Sequence, residues 1–529
     1  MSSSCLFQYR GGSIVKMMLP DDRLYESVFY SDDAVDVYGY CLALNQKSSE
    51  FLDIALRSIK HNRFEILSRF DGCFVFFIYN KLSRVLNVCI DIYGTFPIYF
   101  FKKGDTITFS TDLKQIYGIA DFLTVDQNQL IENLAYEGID TKDTIFKEIK
   151  RLPAGCVAKF DDRGDYAIES YLVSYVSRII EPRYNDLKLF ACDFDDLAVE
   201  VFAEYGDKFS GLKVTSDLSA GLDSSLVSYY LKKSSGLSFD CHFWHDPPPF
   251  HSQSIEMPQR FAAHHNLNLE VHQHLAWSDF FTERFIYPYA LNHARLSMMI
   301  RSYCEAGSEV HFSGNGGDEL YKSRDCISNF FDSVYVNYYD LVQTLDLGLS
   351  QLLSNRGVSI LCDHDYHRSR TVYPQLLAKS SLEIQMDSFD IFHSNGIVGV
   401  NPLLDRRLIE LFWRFPKKKD QYLSRKEFWK NVGSDIFLSD QLRDDFGQDY
   451  SSTILLAGEN HAPFIRSLFA QSFLIDWGII DPDKLALLLN QDGNKGINYS
   501  LVIGFLLHAA KMELFLQRMQ TQVQLRFAD

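Results

Sequence analysis

The sharpest chemical signal in the chain is Ser219-Ala220-Gly221-Leu222-Asp223-Ser224-Ser225, set between an apolar strand pattern and the start of a helix pattern. A pyrophosphate suits that place. Gly221 lets the backbone come close to an anion, and the first amides and the dipole of a helix favour negative charge. Ser219, Ser224 and Ser225 add hydroxyl donors, and Ala220 and Leu222 complete the loop. Asp223 makes little sense against a phosphate but good sense as a Mg²⁺ ligand. The pattern is neither a Walker A loop, which needs Gly-Lys-Ser/Thr, nor a dinucleotide GxGxxG. A second segment, Ser313-Gly314-Asn315-Gly316-Gly317-Asp318-Glu319-Leu320, also follows a strand pattern. Its glycines can wrap backbone round a ligand, and Asp318 offers a second carboxylate. Alone, the first segment also reads as a capped helix start and the second as a surface turn. Two of them at strand ends of one sheet point to one site, where Asp223 and Asp318 clamp a Mg²⁺–pyrophosphate from two sides.

Such loops need a sheet to hold them, and the surrounding pattern supplies it. Leu212–Leu218, Phe239–Trp244, Leu267–Gln273 and Glu309–Phe312 read as strands. Ser224–Lys232, Ser254–His264 and a segment around Leu291–Ala306 read as helices between them. Strands alternating with helices imply a doubly wound parallel sheet, whose ligands sit at the carboxyl ends of the strands. The stretch 325–529 reads as mostly helical, with Tyr499–Leu516 its clearest amphipathic segment. The first 170 residues differ. Phe74–Tyr79, Val85–Ile90 and Ile98–Phe101 are short β-branched and aromatic runs, with turns at Asp71-Gly72, Tyr93-Gly94 and Lys103-Gly104-Asp105. They predict two packed antiparallel sheets. The pattern weakens around Glu181-Pro182-Arg183, so the expected domains are 1–180 and 190–529.

A length of 529 residues exceeds the usual limit of one hydrophobic core, which agrees with two domains. The formal net charge is −17, and the one basic cluster is Lys417-Lys418-Lys419, so a nucleic-acid partner is not expected. An acidic total still admits a polyphosphate held by local N–H groups and a cation. Ten scattered cysteines suit a reducing compartment rather than a disulfide framework. The first residues lack the apolar core of a signal peptide, and no apolar run approaches a membrane span. The expectation is a soluble, cytoplasmic protein without a membrane partner. His242, His245 and His251 flank a proline turn, and His264, His265, His272 and His274 follow. Their spacing matches no standard zinc pattern, so a structural or substrate-lining role is expected.

The two glycine-rich segments resemble the pyrophosphate loop and the following ATP-site loop of the asparagine synthetase family. Asn401-Pro402-Leu403-Leu404-Asp405 is similar to that family's Val-Pro-Phe-Leu-Asp segment. In the amino-terminal half, Phe70–Phe76, Asp91–Tyr99 and Phe109–Lys114 resemble the glutaminase-type sandwich of the same enzymes. The resemblance implies an α+β protein of two domains. The first is a degenerate class II glutamine-amidotransferase-like (Ntn-type) β-sandwich with helices. The second is an α/β PP-loop ATP pyrophosphatase domain with a helical carboxyl-terminal part, in which the two loops hold ATP and Mg²⁺.

Three departures refine this. Family glutaminases use a cysteine at the mature amino terminus, whose own amine is the base. Here residue 2 is Ser and the nearest thiol is Cys5, so no glutaminase activity is expected. Asn315 stands where asparagine synthetases carry Glu, and Arg443 roughly where they carry a catalytic Lys. Relatives without the terminal cysteine include β-lactam-forming synthetases and lasso-peptide cyclases, which take the amine from the substrate itself. The degenerate first domain and Phe428…Gly433-Ser434-Asp435-Ile436-Phe437 look most like a lasso-peptide cyclase. That resemblance implies adenylation of an Asp or Glu side chain of a precursor peptide and ring closure by the peptide's amino-terminal amine. Arg443 would stabilise the oxyanion or AMP, and Glu383 or Asp387 would deprotonate the amine. A leader peptidase and a leader-binding protein would be pathway partners. The alternatives are an amide or β-lactam synthetase acting on a small-molecule carboxylate, and a peptide-binding scaffold with a vestigial ATP site.

Overall fold

A computed structural model of the chain describes residues 5–18, 25–44, 48–136, 143–171, 186–245, 255–273, 281, 299–321, 349–368, 389–415, 425–433, 435–443, 451–490 and 497–528. The aromatic and β-branched runs of the first half form strands. They are β1 (Leu6–Arg10), β2 (Ser13–Met18), β3 (Glu26–Ser31), β4 (Val35–Ala43), β5 (Gly72–Asn80) and β6 (Val85–Ile90). Next come β7 (Tyr99–Lys103), β8 (Thr106–Ser110), β9 (Phe122–Asp126), β10 (Ile149–Arg151), β11 (Cys156–Phe160) and β12 (Tyr166–Ser170). Two antiparallel sheets result, ordered β10-β7-β8-β1-β2 and β12-β11-β6-β5-β4-β3. Their inner faces interlock through aromatic rings, as the alternation of inward side chains requires. Phe7 stacks on Phe77 at 4.3 Å, and Phe109 meets Phe160 edge-on at 5.0 Å. The expected sandwich is present.

The rhythm changes after the helix Leu187–Lys208. Five strands, β13 (Val214–Asp217), β14 (Phe239–His245), β15 (Asn268–Gln273), β16 (Val310–Phe312) and β17 (Val398–Val400), pair in parallel in the order β15-β14-β13-β16-β17. Helices Leu222–Tyr230 and Glu256–His265 cross between them, and residues 299–305 are helical ahead of β16. The consequence for function is the pairing of β13 with β16. Both glycine-rich segments leave neighbouring strands at the same end of the sheet.

Two parts of the last third depart from the helical expectation. Val398-Gly399-Val400 is too short to show a period, yet it supplies the outer strand β17. The final strand β18 (Gln524–Ala528) pairs in parallel with β9 of the first half. The segment expected as amphipathic lies in the helix Ile497–Gln520, which is buried almost throughout its middle, including Lys511 and Glu513. A one-faced surface helix is therefore the wrong description. Its polar positions point into the protein because they have partners there. The Glu513 carboxylate accepts from the Ser472 hydroxyl at 2.8 Å and from the Leu474 amide at 3.0 Å.

The halves share their interiors. One apolar cluster runs from Phe7 and Phe77 to Phe412 and Trp429, and another joins Leu123 and Phe146 to Leu507 and Phe515. Asp71 pairs with Arg406 across the boundary, and Arg406 also holds Glu410. Among the described residues the cysteines are free, and no helix is long and apolar enough to cross a membrane.

His508, in the same buried helix, meets Asn133 Oδ1 at 3.3 Å, and burial pushes its pKa down to about 3. The folded state thus keeps it neutral while the unfolded chain protonates it near 6.5. Its contribution is present above pH 6.5 and is lost as pH falls towards 3. In denaturant unfolding at stepped pH, His508→Gln should flatten the acid limb by about 1.4 kcal/mol per pH unit. An unchanged slope would contradict the assignment.

Candidate active site

The loop after β13 is shaped by its own hydroxyls. Ser219 N–H donates to Ser224 Oγ at 2.9 Å, the two hydroxyls are 2.9 Å apart, and Gly221 N–H donates to Ser219 Oγ at 3.1 Å. Ser225 Oγ donates to the Gly221 carbonyl at 2.9 Å. The serines therefore form the loop first, and their side chains are engaged in it. Ala220 and Leu222 are buried, so they anchor the loop in the core and leave only backbone to face a ligand. The helix Leu222–Tyr230 opens at Gly221, which is extended and gives no side-chain cap. An uncapped helix start directs its first N–H groups and dipole at whatever anion arrives.

The second loop lies directly against the first. Ser313 N–H donates to the Val400 carbonyl at 2.9 Å, tying the loop to β17, and Asn315 N–H donates to Ser313 Oγ at 3.1 Å. A Cβ on Gly314 would stand 2.5 Å from Ser224 N and 2.6 Å from Ser224 Cα. A Cβ on Gly317 would stand 2.1 Å from the Asp223 carboxyl carbon. The Gly314 contact is with backbone, so only glycine fits there, while at Gly317 a side chain would have to push the Asp223 carboxylate aside. Asp223, half-buried, thus lays its carboxylate on the backbone next to Asp318, which is exposed. Leu404, of the 401–405 segment, packs on Gly316. Asn315 sits half-buried between these glycines.

Sequence reasoning missed Gln441. Its Nε2 donates to Ser225 Oγ at 2.9 Å and to the Ala220 carbonyl at 3.4 Å, while its Oε1 accepts from Leu438 N–H at 3.0 Å. A lone Gln in a short helix carries no chemical signal; only the fold brings it to the loop. Arg443 belongs to the same helix, Ser439–Arg443. Glu383 and Asp387 lie outside the described residues. So do His251 and His274, while His265 ends its helix with Nε2 2.9 Å from the Ile436 carbonyl.

These residues fit a Mg²⁺–polyphosphate. Two close backbone approaches that a Cβ would fill, an uncapped helix start and two carboxylates on adjoining loops make a cradle for a multiply charged anion and its cation.

The amino-terminal half has no comparable nucleophile at Cys5. That residue is buried, its N–H donates to Thr111 Oγ1 at 2.9 Å, and its carbonyl accepts from Ser110 Oγ at 2.9 Å. Burial pushes its thiol up to about 12, far from the thiolate a nucleophile needs. No glutamate release from glutamine above background is expected; release abolished by Cys5→Ala would contradict this. Between the halves lies a cavity of about 80 Å³, lined among others by Tyr25, Cys73, Asp91, Phe389 and Arg406. It has room for a few water-sized molecules at roughly 10–15 Å³ each, not for a peptide. Burial raises Asp91 to about 6 although Tyr93 N–H at 2.9 Å and Thr95 Oγ1 at 3.1 Å donate to it.

Residues 48–172 match the glutamine amidotransferase domain family, and residues 209–333 match the asparagine synthase family, which spans both glycine-rich loops. The chain is 23% identical over 180 residues to asparagine synthetase [glutamine-hydrolyzing] 1 of Bacillus subtilis (strain 168). That match covers 33% of this chain and 27% of the relative. Among solved structures it is similar to an NH3-dependent NAD synthetase from Campylobacter jejuni, at 17% identity, with 39% and 96% of the two chains covered and a TM-score of 0.20. It is also similar to the glutamine phosphoribosylpyrophosphate amidotransferase from Bacillus subtilis, at 9% identity, 59% and 75% coverage and a TM-score of 0.21. With an amidotransferase-like segment followed by an asparagine-synthase-like segment whose two loops meet, the chain is similar in both halves to the asparagine-synthetase-like proteins.

Proposed function

We propose that this chain is an ATP-dependent, AMP-forming carbon–nitrogen ligase, and that its finer role is to close a macrolactam ring in a precursor peptide. The observation that carries the first part is the contact of the two loops, Gly314 on Ser224 and Gly317 on Asp223. ATP is the substrate of this cradle. The first amides of the helix Leu222–Tyr230 bind its pyrophosphate part, and Asp223 and Asp318 are the carboxylates that would hold Mg²⁺. When bound, the cation supplies charge neutralisation for the departing pyrophosphate.

The substrate carboxylate attacks the α-phosphorus, and the bond to the β-phosphate oxygen breaks. Acyl-adenylate and pyrophosphate result. An amine then attacks the acyl carbon, AMP leaves, and the amine's proton passes to a base. Arg443 is assigned to the negative charge of this second step, and Glu383 or Asp387 to the proton. Asn315, in the glycine loop, is assigned to positioning the acyl group.

The finer reading rests on the amine. Cys5 is buried and protonated, which argues against glutamine as the source. A peptide that carries both amine and carboxylate needs none, and holding both ends in one site gives the second step a high effective concentration. The test is mass spectrometry of the purified enzyme with ATP, Mg²⁺ and a leader-free precursor peptide. The expected product is one water lighter than the peptide, with AMP and pyrophosphate formed alongside. Acetylating the peptide's amino terminus should block closure yet permit ATP–pyrophosphate exchange. ATP turnover that requires free ammonium or a second amine would replace this reading with a general amide synthetase.

A further inference from the structure

The face of the parallel sheet turned away from the helix Leu222–Tyr230 carries an unused set of donors. That helix packs over Val214 and Cys241, and Cys241 Sγ reaches Ser228 Oγ at 3.8 Å. Side chains one residue on point to the opposite face. Asp217 and His242 stand there beneath Tyr303, whose hydroxyl donates to Asp217 Oδ1 at 2.7 Å and whose ring meets His242 edge-on at 5.4 Å. The β14–β15 register sets His242 opposite Glu270 and Trp244 opposite His272. All four therefore share this face.

Their polar atoms converge. His242 Nδ1 and His272 Nε2 are 2.8 Å apart, and Glu270 Oε2 is 3.9 Å from each. Around a tetrahedral Zn²⁺ with bonds of ~2.0–2.1 Å, ligand atoms lie roughly 3.3–3.4 Å apart. The three separations bracket that value. Side-chain exposure rises from 0% at His242 through 23% at His272 to 50% at Glu270, so the open side of the trio faces solvent. Trp244 stacks on His272 at 4.6 Å and fixes the plane of its ring. His242 Nε2 is buried with no hydrogen-bond partner among the described residues, so no contact there dictates which nitrogen is bare. Two imidazoles bonded only to each other would need no carboxylate poised near both nitrogens.

We propose that His242, Glu270 and His272 form a site for a divalent transition metal of the zinc class, with a fourth position open to water. Two neutral nitrogens and one carboxylate are a borderline donor set, suited to Zn²⁺ rather than to the Mg²⁺ expected at Asp223 and Asp318. The site lies on β14 and β15, not on the strands that lead into the two loops. A metal there would staple the edge strand β15 to its neighbour, so its binding free energy would add to the stability of the fold.

The test uses the full chain, stripped with a chelator and dialysed, then titrated with Co²⁺ as a spectroscopic stand-in for Zn²⁺. The expected result is one Co²⁺ per chain, with a visible absorption band that Zn²⁺ displaces and Mg²⁺ does not. Thermal unfolding should move up by several degrees with Zn²⁺ and not with Mg²⁺. His272→Gln and Glu270→Gln, both at partly exposed positions, should each lose the band and the Zn²⁺-dependent shift while far-ultraviolet circular dichroism stays unchanged. Absence of stoichiometric uptake, or uptake that survives both substitutions, overturns the proposal and leaves a plain imidazole–imidazole hydrogen bond.

Discussion

Asp223→Asn should cut pyrophosphate release by at least about 100-fold, the usual size of a lost electrostatic contact to a transition state. The substitution keeps the volume and removes the charge. The Asp223 carboxylate lies on the Gly317 backbone, beside Asp318, so the amide still fits while the proposed cation ligand is lost. A helix first turn also gains from an acidic side chain, by about 0.3–1 kcal/mol, and that sets the limit of the stability change. Asp318→Asn should act alike on activity, with a stability change of the same small size, because exposed Asp318 also lies in the first turn of a helix, at residues 317–321. Pyrophosphate release and thermal unfolding, measured side by side, separate the two effects. Retention of more than about a tenth of the activity in either variant would remove that carboxylate from the cation site.

Gly314→Ala is the second large effect. Its new methyl would meet Ser224 N and Cα at 2.5 and 2.6 Å, and both atoms are backbone in the first turn of the helix Leu222–Tyr230. Neither can turn aside as a flexible side chain would. The two loops must separate, at a cost of about 1–3 kcal/mol of overpacking. A displacement of about 1 Å in a site that works by positioning can cost 100-fold in rate. Steady-state ATP turnover should therefore collapse while the protein remains folded at room temperature. Gly118→Ala is the control, since its Cβ would find nothing nearer than 3.7 Å. Near-normal turnover in Gly314→Ala would show that the contact between the loops is dispensable.

Much of this site was legible before any coordinates. Glycine and acidic residues after apolar runs report a backbone that must come close to an anion, and that requirement is local. Hence β13, β14, β15 and β16 fall within a residue or two of their expected places. Adjacency was harder. Sequence spacing shows that two loops follow strands, but only the β13–β16 pairing shows that they touch. Gln441 and the trio on β14 and β15 were beyond reach for the same reason. Their chemistry arises from long-range register, and the spacing of His242, Glu270 and His272 along the chain fits no metal motif. The buried helix Ile497–Gln520 misled in another way: Lys511 and Glu513 suggest a wet face until their surroundings are known.

The partnership of β18 with β9 bears on how the protein is made. Phe122 pairs with Gln524, about 400 residues later in the chain. At ribosomal rates of about 5–20 residues per second, roughly 20–80 s pass between the emergence of the two strands. During that interval Leu123, Val125 and Phe146 lack the helix that later covers them, and β9 lacks its strand partner. An unpaired strand edge beside bare apolar surface is the usual starting point of aggregation. The nascent amino-terminal half is therefore exposed to aggregation until the helix Ile497–Gln520 and β18 arrive, and expressing it alone should yield insoluble material.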